Sequence, residues 1–306
     1  MRAVVTGGAG FIGSHLVDAL VRDGAEVVVL DNLSSGRRTN VPTAATLIEG
    51  DIRDPEAVAE AFGLARPDVC FHLAAQADVR VSVERPDYDC EVNVLGTVRV
   101  LEAARRAGAA LVFSSTGGAI YGECDRPATE RSARLPLAPY GASKLCGEEY
   151  LQTFRRLHGC RNTVLRFGNV YGPRQDPHGE AGVVAIFLGL LAEGGQPQIF
   201  GDGTQTRDYV YVGDAVRAAL AAAGHAGGVF NVGTGHETSV VELFAACRRV
   251  TGVEVEASFA PARPGELLRS VLDPELAAAE LGLRAVTSLD DGLRATWDWI
   301  RTKETG

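Results

Sequence analysis

Tyr140 and Lys144 stand four residues apart in the stretch Pro139-Tyr140-Gly141-Ala142-Ser143-Lys144. On a helix that spacing puts both side chains on one face, about one turn from each other. A free phenol has a pKa of about 10 and is a poor base at neutral pH. A neighbouring ammonium favours the phenolate. Lowering the phenol by ~3 units takes ~4 kcal/mol of differential stabilisation, which the lysine and a bound cationic cofactor can supply together. The pair is therefore a candidate general base with its electrostatic partner. The same spacing is common on solvated helix faces, so the surrounding chain has to assign it.

The start of the chain carries a second chemical signal. Ala3-Val4-Val5-Thr6 is a short apolar, β-branched run, and Gly7, Gly10 and Gly13 follow with the spacing G-x-x-G-x-x-G. An amphipathic pattern then runs to Arg22. This reads as strand, glycine turn and helix. Such a turn lets a pyrophosphate approach the backbone closely while helix N-terminal amides face it. Glu26 to Leu30 reads as the next strand and ends in Asp31, eighteen residues past Gly13. An acid there accepts both adenosine ribose hydroxyls and repels a 2′-phosphate. The expected ligand is a dinucleotide, NAD rather than NADP. Arg37 and Arg38 in the following loop offset that repulsion in part.

The elements that must position these residues alternate. Thr46–Glu49, Val69–Leu73, Leu111–Ser114 and Asn162–Arg166 read as strands. Pro55–Leu64, Asp87–Ala107 and Tyr140–Leu157 read as helices. That βαβ alternation predicts an α/β fold built on a doubly wound parallel sheet. Ligands of such sheets bind at the carboxyl ends of the strands. Three groups of residues fall there: Asp51 and Ile52, where an adenine edge would sit; the small residues of Leu73-Ala74-Ala75; and the hydroxyl-rich Phe113-Ser114-Ser115-Thr116-Gly117-Gly118. A hydroxyl in the last group can bond both a substrate oxygen and Tyr140. Asp51 also reads as a helix cap, and the Ser/Thr run as a simple turn.

The chain has 306 residues, 46% of them hydrophobic and 23% charged, with a net charge of −9 at pH 7. These values fit a globular enzyme and argue against a nucleic-acid or anionic-membrane surface. Six scattered cysteines without a Cys-x-x-Cys pair fit reduced thiols in a cytoplasm. The chain opens directly into a strand, so no signal peptide is expected, and no apolar run suffices to span a bilayer. His15, His72, His158, His178, His225 and His236 form no metal pair, so no metal is expected. Asp290-Asp291 reads as the start of a helix over Leu293–Ile300.

The segments GGAGFIGSHL, DNLSSG, GDIRD, FHLAAQADVRVSVERP, NVLGT, FSSTGGAIYGE, PYGASK, LRFGNVYGPRQ, GDGTQTRDYVYV, NVGTG and ARPGE run through nearly the whole chain. On them the sequence resembles the extended short-chain dehydrogenase/reductase family and, within it, the UDP-glucose (UDP-galactose) 4-epimerases. The resemblance implies a catalytic set of Thr116, Tyr140 and Lys144. Tyr140 would take the proton of the sugar 4-hydroxyl while the C4 hydride moves to NAD. Lys144 would hold the nicotinamide ribose, and Thr116 would orient the 4-oxygen. The 4-keto sugar would then turn over and take the hydride on its other face. Ser115 stands as the other candidate hydroxyl, because Gly117-Gly118 shifts the alignment by one residue.

Cofactor contacts are implied at Gly7, Gly10, Phe11, Ile12, Gly13, Asp31, Asn32, Ser35, Gly36, Asp51, Ile52, Leu73, Ala74, Ala75, Asn93, Ser114, Tyr140 and Lys144. Many relatives carry a lysine where this chain has Ala77. Substrate contacts are implied at Thr116, Tyr140, Asn169, Val183, Val184, Phe200, Gly201, Arg207, Arg263, Glu266 and Ser270. Two arginines suit a dianionic diphosphate in an acidic protein. Ser270 would leave room for a 2-acetamido group where a tyrosine would not, unless it faces core or solvent. The resemblance also implies an NAD-binding domain over 1–168 with a returning segment near 207–233. A nucleotide-sugar domain would cover 169–206 and 234–306. A homodimer would pair the helices Asp87–Ala107 and Tyr140–Leu157 with their mates, Val92, Leu95 and Leu151 offering apolar contact that core packing within one chain explains equally well.

Other readings share the scaffold. A UDP-glucuronate 4-epimerase differs only at the sugar 6-position. A dehydratase or decarboxylase needs an acid near the catalytic hydroxyl, and Gly117-Gly118 supplies none. A non-catalytic NAD-binding protein would have no need of an intact Thr/Tyr/Lys set.

Overall fold

The computed structural model describes residues 1–177, 182–263 and 267–304. Seven strands form one parallel sheet: β1 (Arg2–Thr6), β2 (Glu26–Asp31), β3 (Thr46–Glu49), β4 (Val69–His72), β5 (Ala110–Thr116), β6 (Asn162–Phe167) and a seventh strand, Gly228–Val232. Their spatial order is seventh strand, β6, β5, β4, β1, β2, β3. The order reverses between β1 and β4, which opens a crevice at their carboxyl ends. The expected doubly wound sheet is present.

Strand residues alternate between two apolar clusters. Val5, Val29, Phe71, Val112 and Leu165 face one, which takes in Leu16, Val17 and Leu20 of helix α1 (Phe11–Arg22) and the alanines of the helix Val212–Ala223. Val4, Leu30, Cys70, Phe113 and Val164 face the other. Val58 and Phe62 of α2 (Pro55–Ala65) and Leu151 of the helix Pro139–His158 pack there. Burial on both faces explains why these strands read as continuous apolar runs. Each fully buried leucine or phenylalanine contributes about 1.5–3 kcal/mol. A third cluster joins Val184, Phe187, Leu188, Ile199, Leu243, Phe244, Leu293 and Trp297. Around it lie three small sheets, in one of which Arg269–Ser270 pairs with Thr206–Arg207.

The span Asp87–Ala107 departs from the single helix expected of it. The chain is helical over Pro86–Cys90, widens to a π-turn over Glu91–Gly96, and resumes as an α-helix over Thr97–Ala107. The cause lies at Asn93. Its carbonyl accepts from Thr97 Oγ1 at 2.7 Å, while its side chain turns inward to the backbone of Gln76. Such bulges accompany functional positions. Val92 and Leu151, expected at a subunit interface, are instead buried in the chain's own core, whereas Leu95 is 44% exposed. Among the described residues no helix is long and apolar enough to cross a membrane.

Candidate active site

The glycine turn is built by close approach. Gly7 has φ +71°, and a Cβ there would lie 2.6 Å from the Ala74 amide nitrogen. A Cβ on Gly13 would lie 2.1 Å from the Gly7 carbonyl oxygen. Larger residues at either place would push the turn away from the end of β4. Gly10 caps α1 without a side-chain bond, so the first amides of that helix stay open toward the crevice. This cradle fits a pyrophosphate.

Asp31 closes the cradle on the β2 side. Its carboxylate accepts from the amides of Ala9 at 2.9 Å and Leu33 at 2.8 Å. Burial raises its pKa, and those two hydrogen bonds pull the other way. Gly36 lies against it: a Cβ there would come 2.9 Å from Asp31 Oδ1. Asn32 Nδ2 donates to Asp51 at 2.9 Å. The Arg53 hydrogen bonds hold the Asp51 carboxyl down to about 2 despite partial burial. Ile52 packs its side chain on Gly96 in the core. The two arginines that would soften Asp31 are engaged elsewhere, Arg38 with Glu49 and Arg37 with Asp176 at 3.7 Å.

A buried polar chain lies behind the end of β4. His72, fully buried, bonds Thr6 Oγ1 through Nδ1 at 2.7 Å and Thr97 Oγ1 through Nε2 at 2.9 Å. Burial, with the Lys144 charge adding to it, pushes its pKa down to about 3. Asn93 Oδ1 accepts from the Gln76 amide at 2.9 Å, and its Nδ2 reaches the Gln76 carbonyl, Asp89 and Ser143. Asn93 thus ties the segment after β4 to the helix that carries Tyr140 and Lys144.

Pro139 opens that helix at a position where no N–H is needed, and Gly159 ends it in the left-handed region. Lys144 is 3% exposed and donates from Nζ to the Ser114 carbonyl at 2.9 Å, with the Phe113 ring centred 4.9 Å away. The first turn packs on the turn after β5, since a Cβ on Gly141 would lie 2.5 Å from the Ala119 carbonyl oxygen. Ser115 points to the opposite side of β5 from Thr116 and donates to Glu148 Oε1 at 2.5 Å. The two candidate hydroxyls are thereby separated. A Cβ on Gly118 would lie 3.3 Å from Asn169 Oδ1 and 3.9 Å from Thr116 Oγ1, so Thr116 and Asn169 flank the same small opening.

Farther out, Arg263 stacks over the Phe200 ring at 3.9 Å from its centroid, and Ala262 lies beside Gly201. Ser270 is buried and in register with Arg207. Val184 gives its side chain to the third apolar cluster, so what Val183 and Val184 offer outward is the N-terminal turn of the helix Val183–Ala192. Glu266 and His178 lie outside the described residues. Among the described residues no group of three or more His, Cys, Asp or Glu side chains is placed to hold a metal.

Several polar residues that organise the site lie in or near the segments that carry the resemblance but were given no role there. Asp208 is buried behind Arg207 and accepts from Thr234, Gly235 and the Leu272 amide. Burial raises its pKa, and these bonds oppose the rise. Glu123 accepts the amides of Leu268 and Arg269 at 2.5 and 3.2 Å, which docks the Ser270 segment. Glu148 was visible in one respect only: it continues the Tyr140, Lys144 spacing by four more residues.

The model of the NAD dependent epimerase/dehydratase family matches residues 3–233. A UDP-glucose 4-epimerase of Mycolicibacterium smegmatis is 48% identical, over 99% of this chain and 99% of its own length. The crystal structure of a Thermotoga maritima UDP-glucose 4-epimerase with UDP-glucose superposes with a TM-score of 0.97 at 47% identity, covering 99% of this chain and 100% of that one. A Thermus thermophilus UDP-glucose 4-epimerase in complex with NAD gives a TM-score of 0.94 at 48% identity, covering 98% and 99%.

The His72 environment sets a pH dependence. The unfolded imidazole titrates near 6.5 and the folded one near 3. Below the upper value the unfolded state binds a proton that the folded state refuses, so stability is lost as pH falls through that window. The slope from this group approaches about 1.4 kcal/mol per pH unit. In His72→Gln the amide still donates to Thr97 but does not titrate. Urea midpoints taken from about pH 7.5 to about pH 5 should fall more steeply in the wild type than in this variant. Parallel curves would show that His72 is not held neutral.

Proposed function

The chain belongs to the NAD dependent epimerase/dehydratase family, and we propose that within it the protein is a UDP-glucose 4-epimerase working with bound NAD. The observation that carries this reading is the meeting of two elements at the carboxyl end of β5. Lys144 is anchored on the Ser114 carbonyl, Tyr140 stands one helical turn away, and Thr116 opens toward Asn169. Bound NAD supplies the acceptor and later the donor of the C4 hydride. The chain's own residues handle the proton. Tyr140 takes it from the sugar 4-hydroxyl and returns it after the 4-keto sugar has turned its other face. Thr116 Oγ1 orients the 4-oxygen through both halves. Lys144 supplies the positive charge that favours the Tyr140 phenolate. UDP-galactose is the product of that face exchange.

The cofactor residues are those of the glycine cradle, Asp31 and its loop, the ends of β3 and β4, Asn93 and Lys144. Asn169, Phe200, Arg207, Arg263, Glu266 and Ser270 are assigned to the nucleotide sugar. In the same reading residues 1–168 and 207–233 form the cofactor unit, and the remainder holds the substrate. A homodimer is part of the same proposal, and the exposed Leu95 of the π-turn with Tyr150 and Leu157 of the Pro139–His158 helix would be available to it. Light scattering that returns a monomer mass at micromolar concentration removes it.

Purified protein should interconvert UDP-glucose and UDP-galactose without added cofactor. Mass spectrometry of the extract should return NAD rather than NADP. Tyr140→Phe keeps the ring and should lower turnover about 10²–10⁴-fold, the usual loss for a general base. A fully active Tyr140→Phe variant would send the proton through another group. Recovery of NADP would overturn the role given to Asp31.

Substrate breadth follows from Ser270. Its small side chain beside Arg207 leaves room for an acetamide, so UDP-N-acetylglucosamine should also turn over. Ser270→Tyr should abolish that activity and leave the glucose reaction within about tenfold, since steric exclusion acts on the larger group alone. Equal loss of both activities would take Ser270 out of the pocket wall.

A further inference from the structure

Glu148 and Arg166 form a fully buried ion pair directly behind the reacting groups, each side chain 2% exposed. Arg166 Nε lies 3.0 and 3.1 Å from the two Glu148 oxygens, and Nη2 lies 2.5 Å from Oε2. Ser115, the residue before Thr116, donates to the same carboxylate at 2.5 Å. Arg166 Nη1 donates to Tyr121 Oη at 2.7 Å, and Tyr121 donates to Asn231 Oδ1 at 2.7 Å. Asn231 Nδ2 in turn reaches the Ala128 carbonyl at 2.7 Å. Ala128 is bridged to Leu272, two residues past Ser270. One guanidinium therefore connects the catalytic helix, β5, the loop after Thr116 and the Ser270 segment.

We propose that Glu148 and Arg166 are positioning residues for proton transfer. They set the rotation and register of the Pro139–His158 helix on β5, so that Tyr140 and Thr116 address one sugar oxygen. The proposal rests on the epimerase reading. Tyr140 lies in the first turn of a helix whose N-cap, Ala138, makes no side-chain bond. That first turn packs through Gly141 on the Ala119 carbonyl, and directed bonds orient the helix farther in, among them Lys144 Nζ to the Ser114 carbonyl and Glu148 to the Ser115 hydroxyl. The Glu148 bond is directional, because the fork of Arg166 admits one orientation of the carboxylate. Stability alone does not call for such a pair, since apolar residues of similar volume commonly replace buried ion pairs without loss.

That contrast supplies the test. Thermal midpoint, kcat and KM for UDP-glucose are measured for the wild type, the double variant Glu148→Met/Arg166→Met, and Ser115→Ala. The double variant should melt within about 5 °C of the wild type, because no buried charge is left unpaired. Its kcat should fall about 10²-fold while KM stays within about twofold, the signature of misplaced reacting groups. A double variant with wild-type midpoint and wild-type kcat overturns the proposal, as does a loss carried by KM alone. Where the double variant does not fold, Ser115→Ala decides. A kcat lowered about fivefold or more at constant KM supports positioning, and an unchanged kcat overturns it. A wild type without UDP-sugar turnover overturns the epimerase reading and this proposal with it. An active wild type with unaffected variants overturns this proposal alone.

Discussion

The hydrogen bond from Lys144 Nζ to the Ser114 carbonyl is the contact on which the site depends. An ammonium that is 3% exposed carries a desolvation cost of several kcal/mol unless it is bonded and directed. Here a strand carbonyl at the end of β5 directs it. That places a positive charge at the carboxyl edge of the sheet, where the glycine turn and Asp31 also lie. The charge has a second effect, since it helps keep His72 neutral. Within an acidic chain, the buried lysine and the amides at the start of α1 put local positive charge near the crevice.

A neutral His72 makes every hydrogen bond along the back of the crevice run one way. Thr97 Oγ1 donates to the Asn93 carbonyl, so it must accept from His72 Nε2–H. His72 Nδ1 is then an acceptor and takes the Thr6 hydroxyl proton. Thr6 Oγ1 is left to accept the Ala74 amide at 3.3 Å. The chain ends at Ala74, whose backbone abuts Gly7, and at Asn93, whose side chain reaches Ser143 one residue before Lys144. A protonated imidazole would reverse the Thr6 bond and leave the buried Thr6 hydroxyl proton without its acceptor. The cofactor turn and the catalytic helix are therefore held from the same buried ring.

Much of this was legible in the sequence because it rests on local chemistry. The glycine spacing, Asp31 at a strand end, and the Tyr140–Lys144 pair each follow from what one turn of backbone can do. The parallel sheet followed from alternation, and the boundaries of six of its strands agree to within a residue or two, while the seventh, Gly228–Val232, was not read from the sequence. The π-turn at Glu91–Gly96 was not legible, since it arises from Asn93 bonding a segment seventeen residues away. Nor were Arg166, Asp208 and Glu123, whose partners come from distant parts of the chain. A buried arginine in a strand looks like any other strand residue until its partners are placed. The sequence favours Thr116 and keeps Ser115 as the fallback. Strand alternation separates them, because one side of β5 carries Glu148 and the other opens toward Asn169.

The same alternation bears on the chemistry the site excludes. Elimination of water from a sugar needs an acid close to the catalytic hydroxyl. Its absence at position 117 is more than a matter of residue type. A Cβ on Gly117 would lie 2.5 Å from Leu272 Cδ1, so Leu272 already occupies the space an acidic side chain would need. Leu272 is itself fixed, its amide bonded to Asp208 and its segment bridged to Ala128. An acid at position 117 would first have to displace the buried Leu272 side chain. In the epimerase reading Tyr140 is the proton relay, and at position 117 the space that a second proton-transfer group would use is filled by this leucine.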